Sequence, residues 1–99
     1  MFVIEKREYR FEDKYDWDDE QSYIRREDGS LIAYETLDKA VAACHTIAFD
    51  RYNKDWTFYQ EPDEWDITDF PSNPVLNEWY TIGEFYSITR YLRIVEVRV

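Results

Sequence analysis

The chain has one cysteine, one methionine, one histidine, two glycines and three prolines among 99 residues. Each scarcity removes a class of answer. The lone cysteine, Cys44, cannot close an internal disulfide. The lone histidine, His45, leaves the usual zinc constellations short of ligands. Gly29 and Gly83 stand far apart, so there is no glycine-rich phosphate loop. Few glycines and prolines also argue against a disordered linker. No apolar run approaches the ~20 residues that a membrane-spanning helix needs. The opening Met1-Phe2-Val3-Ile4-Glu5-Lys6-Arg7 lacks the basic-then-apolar order of a secretory leader. With the unpaired cysteine, this predicts a cytoplasmic, reducing setting.

Aromatic rings and acid are what the chain does have. Aromatic residues make up 19% of it, with four Trp, nine Tyr and six Phe. Rings bury large areas, so they suffice for the core of one small domain spanning 1–99. Asp and Glu number 22 against 12 Lys and Arg, for a formal net charge of −10. That excess sits in two stretches, each built around a tryptophan. Residues 12–20 hold six acids and one base around Trp17, and residues 61–69 hold five acids and no base around Trp65. Outside them, eleven acids balance eleven bases. A surface this acidic repels phosphate, which disfavours direct binding to nucleic acid or anionic lipid and favours a basic partner.

The pattern predicts an α+β fold, a mainly antiparallel sheet of four to five strands with one main helix packed on it. Residues 2–11 read as a first strand. Phe2 and Ile4 share a face with Lys6, Glu8 and Arg10, so that face is only half apolar. Residues 12–20 read as a loop or a protruding hairpin end. Asp28-Gly29 predicts a hairpin joining strands 22–26 and 31–35. Thr36 suits a helix N-cap, and Asp38 suits the positive end of the helix dipole. Leu37, Ala40, Val41, Cys44, Ile47, Ala48 and Tyr52 recur at helical spacing, predicting a helix over about 37–52 that stops near Asn53. Residues 55–60 read as a strand and 61–74 as a long loop. Residues 75–84 fit either a helix begun at Pro74 or a strand. Residues 85–99 are β-prone, most clearly over 93–99. Trp56 and Trp79 are expected in the core.

Nothing in this pattern predicts catalysis. Cys44 and His45 are neighbours on a helix, so their side chains diverge by ~100° and do not meet. Cys44 lies on the apolar stripe, where a free cysteine acts as a small core residue, and His45 borders it. Asp16, Asp18, Glu20 and Glu27 fall at calcium-loop positions, but Gln21 replaces the glycine that the loop's turn requires. A carboxylate couple such as Asp18 with Glu64 has nothing to fix its separation. Arg25, Arg26, Arg90, Arg93 and Arg98 lie among acids and are expected as cross-strand ion pairs. No cofactor, metal or enzymatic activity is expected.

The expected site is therefore a surface for a protein partner: Asp16, Trp17, Asp18, Asp19, Glu20, Asp63, Glu64, Trp65 and Asp66. Carboxylates steer a basic partner and rings anchor it. In an extended segment, alternate acids such as Asp16 and Asp18 lie ~7 Å apart on one face. Such a row can occupy a protein groove that fits a phosphate backbone. The expectation is a non-enzymatic inhibitor of a basic nuclease or other nucleic-acid-binding protein or complex. Its composition is similar to that of acidic phage proteins that block host nucleases or CRISPR complexes, and of bacterial immunity proteins that neutralise nuclease toxins. That similarity is one of size, charge and ring content, carried by no motif. The alternative is an accessory or scaffold subunit, or a homodimer, joined through a sheet edge and aromatic surface.

Overall fold

The computed structural model describes residues 1–13, 16–49 and 66–98. Its elements are β1 (Phe2–Asp13), β2 (Asp16–Tyr23), α1 (Leu37–Phe49), β3 (Asp66–Ile67), β4 (Tyr80–Phe85) and β5 (Ile88–Glu96). The strands form one sheet in the order β2-β1-β5-β4-β3, and every neighbouring pair is antiparallel. With α1 on one face, this is the α+β architecture that the pattern predicts. β1 and β5 pair from Phe2↔Glu96 to Arg10↔Ile88, so the two ends of the chain form the centre of the sheet.

α1 starts where expected. The Thr36 hydroxyl accepts a hydrogen bond from the Lys39 backbone N–H at 3.2 Å, a cap that stabilises a helix by about 1 kcal/mol. Ala40, Val41, Cys44 and Ala48 are buried in a cluster with Ile4, Ile24, Phe70, Ile82, Leu92 and Ile94. Small helix residues let α1 sit close to the sheet. Leu92 is fully buried there, and its truncation to Ala costs about 2–5 kcal/mol. Phe70 packs edge-to-face on Tyr80, with ring centroids 5.4 Å apart. Tyr52 and Asn53 lie outside the described residues, as do strand 55–60 and Trp56.

The Asp28-Gly29 turn forms without its two predicted strands. Gly29 has φ +87°. Its N–H donates to the Arg26 carbonyl at 2.9 Å, and the Arg26 N–H donates to the Ser30 carbonyl at 2.9 Å. This is a three-residue loop closed by glycine in the left-handed region. Its arms meet only at the bridge Arg25↔Leu31, because β1 recruits both. The Ile24 N–H donates to the Ile4 carbonyl, and Tyr34 exchanges hydrogen bonds with Phe2 at 2.7 and 2.8 Å. Ser22 and Tyr23 belong to β2.

Residues 12–20 also differ from a loop. Glu12 and Asp13 finish β1, and Asp16 to Glu20 begin β2. The hairpin-end expectation holds, but most of this acid lies on a sheet edge. In the second stretch, Asp66 and Ile67 form β3 rather than loop. Over 75–84 neither reading holds throughout: residues 75–79 form a turn and 80–84 belong to β4. Asn77, a residue that tolerates the left-handed region, turns the chain with φ +69°. Its N–H donates to the Ile94 carbonyl at 2.9 Å, leading into β4 beside β5.

Alternation gives the sheet two unlike faces. Ile4, Glu8, Ile88, Leu92 and Ile94 face α1. The Glu8–Arg90 pair lies within this layer, 3.7 Å apart, with the two residues 3% and 8% exposed. On the other face, Glu5 and Arg7 of β1 meet Arg93 and Tyr91 of β5. No helix or strand among the described residues covers this second face. Trp79 belongs to it, which corrects the expectation of a core tryptophan. The Arg93 guanidinium sits 4.4 Å from the Trp79 ring centroid and also binds Glu5 at 2.7 Å. Trp79 meets Tyr91 edge-on at 6.5 Å. Stacked cations and rings shield this face in place of a second layer.

Candidate functional site

The antiparallel order gathers several strand ends at one end of the sheet. There β1 ends at Asp13 and β2 begins at Asp16. The turn Tyr86-Ser87 joins β4 to β5 at the same end. The Phe11 N–H donates to the Ser87 carbonyl at 3.0 Å, tying β1 to this turn. β3 lies here too, because Asp66 pairs with Glu84 just before the turn.

Register follows one row right across the sheet. Asp19 is opposite Tyr9, Tyr9 opposite Thr89, Thr89 opposite Glu84, and Glu84 opposite Asp66. Cross-strand partners share a face, so this row brings Asp19 and Asp66 to the face away from α1. Four interstrand steps of ~4.8 Å put the two edges ~19 Å apart. The usual twist of ~20–25° per step turns the edges relative to one another.

The predicted residues meet different surroundings. The backbone of Asp16, Trp17 and Asp18 runs in β2 opposite Asp13, Phe11 and Arg10. This stretch is extended, unlike a calcium loop. Asp19 is not a free carboxylate, because Arg7 binds both its oxygens at 2.7 Å. That hydrogen bonding, with the charge of Asp19 behind it, holds the Arg7 guanidinium above its ordinary pKa. Arg7 also lies 5.6 Å from the Tyr91 ring centroid and 5.9 Å from that of Trp79. Glu20 is exposed in β2 opposite Glu8. Asp63, Glu64 and Trp65 lie outside the described residues. Asp66 is exposed on β3.

Glu84, Phe85 and Tyr86 were not predicted for the site. With Asp66 they line a cleft of about 400 Å³. Tyr86 is 95% exposed, and its ring stands edge-on to Phe85 at 4.5 Å. Phe11, 44% exposed, lies at the same end. A two-residue Tyr-Ser turn between β-prone runs was the available signal for Tyr86. Glu84 could be found only from its pairing with Asp66.

The groups suited to covalent chemistry are elsewhere. Cys44 is buried, and burial pushes its thiol up to about 12, so it stays neutral near pH 7. His45 rests its ring against Phe70 at 6.4 Å, and its buried Nε2 has no hydrogen-bond partner among the described residues. Among the described residues, no group of three or more His, Cys, Asp or Glu is placed to hold a metal. No described helix is long and apolar enough to cross a membrane. Compared with known proteins, the chain matches no family model, no curated protein and no solved structure.

Proposed function

We propose that this protein is a non-enzymatic inhibitor that binds a basic, nucleic-acid-handling protein and occupies its nucleic-acid site. The observation that carries this reading is the register row from Asp19 to Asp66. That row holds one acid from each −5 stretch, Asp19 and Asp66, with Glu84 beside Asp66, and this supports the reading. Carboxylates there present negative charge in place of phosphates, and exposed rings supply the anchors that charge alone lacks. A phage-encoded block on a host restriction or CRISPR complex is one setting for such chemistry. An immunity protein paired with a nuclease toxin is the other.

The test is capture of a partner from bacterial lysate, followed by competition between this protein and DNA or RNA for the captured protein. Changing Asp16, Asp18, Glu64 and Asp66 together to Asn or Gln is expected to weaken competition at least about tenfold. Asp19 is left intact because it anchors Arg7. Competition that survives those changes, or that ignores salt, would contradict the reading.

A second reading is favoured by β2, an eight-residue edge strand. Such an edge can extend a partner's sheet. Its acids repel a second copy of itself, so strand addition here calls for a basic partner strand rather than self-pairing. A captured partner that nucleic acid does not displace, but that a proline placed in β2 releases, would support this accessory-subunit reading instead.

A further inference from the structure

We propose that the cleft between β3 and the β4–β5 turn receives an arginine side chain of the protein partner. Asp66 and Glu84 are directly opposed on adjacent antiparallel strands, and both line the cleft. Like charges placed so are destabilising, and none of the described ion pairs supplies either carboxylate with a cation. Two carboxylates alone attract any cation. The rest of the cleft selects among cations. Its volume, about 400 Å³, is at the small end for a ligand site and suits a side chain better than a cofactor. Tyr86 also lines it, 95% exposed and edge-on to the Phe85 ring at 4.5 Å.

A guanidinium meets these features together. Its N–H groups diverge in a plane and can donate to both carboxylates, while its flat face stacks on a ring. An ammonium offers a compact, strongly hydrated charge and stacks less well. The partner's arginine is thus a specificity contact, and the β2 edge of the sheet lies ~19 Å away.

Tyr86 separates this role from a structural one. It is the first residue of a two-residue hairpin turn and has φ +49°, a position for which glycine is favoured. Tyr86→Gly therefore leaves the turn intact and removes only the ring.

The proposal rests on the partner being basic, but its test needs no partner. Capped hexa-arginine and hexa-lysine peptides are titrated into the protein at about 0.15 M salt, where screening acts beyond ~8 Å. Backbone amide NMR shifts report where they bind. The expected result is shifts at Asp66 and at residues 84–87, with hexa-arginine binding about three- to fivefold tighter than hexa-lysine. Glu84→Gln and Tyr86→Gly are each expected to weaken hexa-arginine by a similar factor, while the exposed-acid control Glu96→Gln does not. Equal binding of the two peptides, or shifts spread evenly over all exposed acids, overturns the proposal. So does unchanged affinity in a folded Tyr86→Gly variant. A cleft that binds arginine in a protein that never competes with nucleic acid would sink the inhibitor reading alone. Competition without peptide selectivity would sink the cleft alone.

Discussion

The two acidic stretches carry the same formal charge, but Asp19 of the first and Asp66 of the second, on opposite edges of the sheet, differ in their neighbours. On the β2 edge, Asp19 is gripped through both oxygens by Arg7, which is itself packed among Tyr9, Tyr91 and Trp79. On the β3 edge, Asp66 faces another acid, Glu84, beside an exposed tyrosine. One acid is neutralised within the fold, and the other is left for something outside it. Net charge therefore does not rank binding residues. What ranks them is whether the register delivers a cation.

Substitutions can test that difference, and the buried pair between the edges sets the scale. Glu8→Ala removes a carboxylate partner of Arg90 from a layer where burial already lowers the guanidinium pKa. It should cost about 3 kcal/mol by urea unfolding. Arg7→Met removes the partner of Asp19 and a stacked cation, with an expected loss of about 1 kcal/mol. The pair keeps a side-chain exposure of 28% on each partner, so solvent screening limits the effect. A double-mutant cycle with Asp19→Asn should recover a coupling of about 0.5–1 kcal/mol. On the other edge the sign reverses. Asp66→Asn or Glu84→Gln should raise stability by about 0.2–0.5 kcal/mol by relieving the facing charges. A loss there would mean that the two carboxylates support the fold.

The smallest effect lies away from both edges. The Ser30 hydroxyl and N–H donate to the Asp28 carboxylate at 2.6 and 2.9 Å, holding its pKa below the ordinary 3.8. A folded-state pKa that is lowered contributes stability above pH 3.8 that fades as pH falls through the folded value. Carboxyl NMR titration should give Asp28 a midpoint below that of an unfolded-chain aspartate.

What was legible in the sequence follows how local each interaction is. The Thr36 cap and the stripe through Ala40, Val41, Cys44 and Ala48 depend on residues within a few positions, so α1 could be read directly. The turn at Gly29 was equally local. The arms around it were misread because their hydrogen bonds go to Phe2 and Ile4, which compete with pairing between the arms. Trp79 looked like a core residue because hydrophobicity does not say which face of β4 it flanks. The site divided the same way. Asp19 and Asp66 could be named from charge clustering. Arg7 as the partner of Asp19, and Glu84 as the opponent of Asp66, exist only through strand register.

The most direct measurement is competition between this protein and nucleic acid for the captured partner, with the edges neutralised separately and together. One variant changes Asp16 and Asp18, a second changes Glu64, Asp66 and Glu84, and a third combines them. If both stretches engage one partner, each single-stretch variant should lose about tenfold in competing concentration, and the combined variant more than either. A combined variant that still displaces nucleic acid at the wild-type concentration would contradict the proposal that this acid surface occupies a nucleic-acid site.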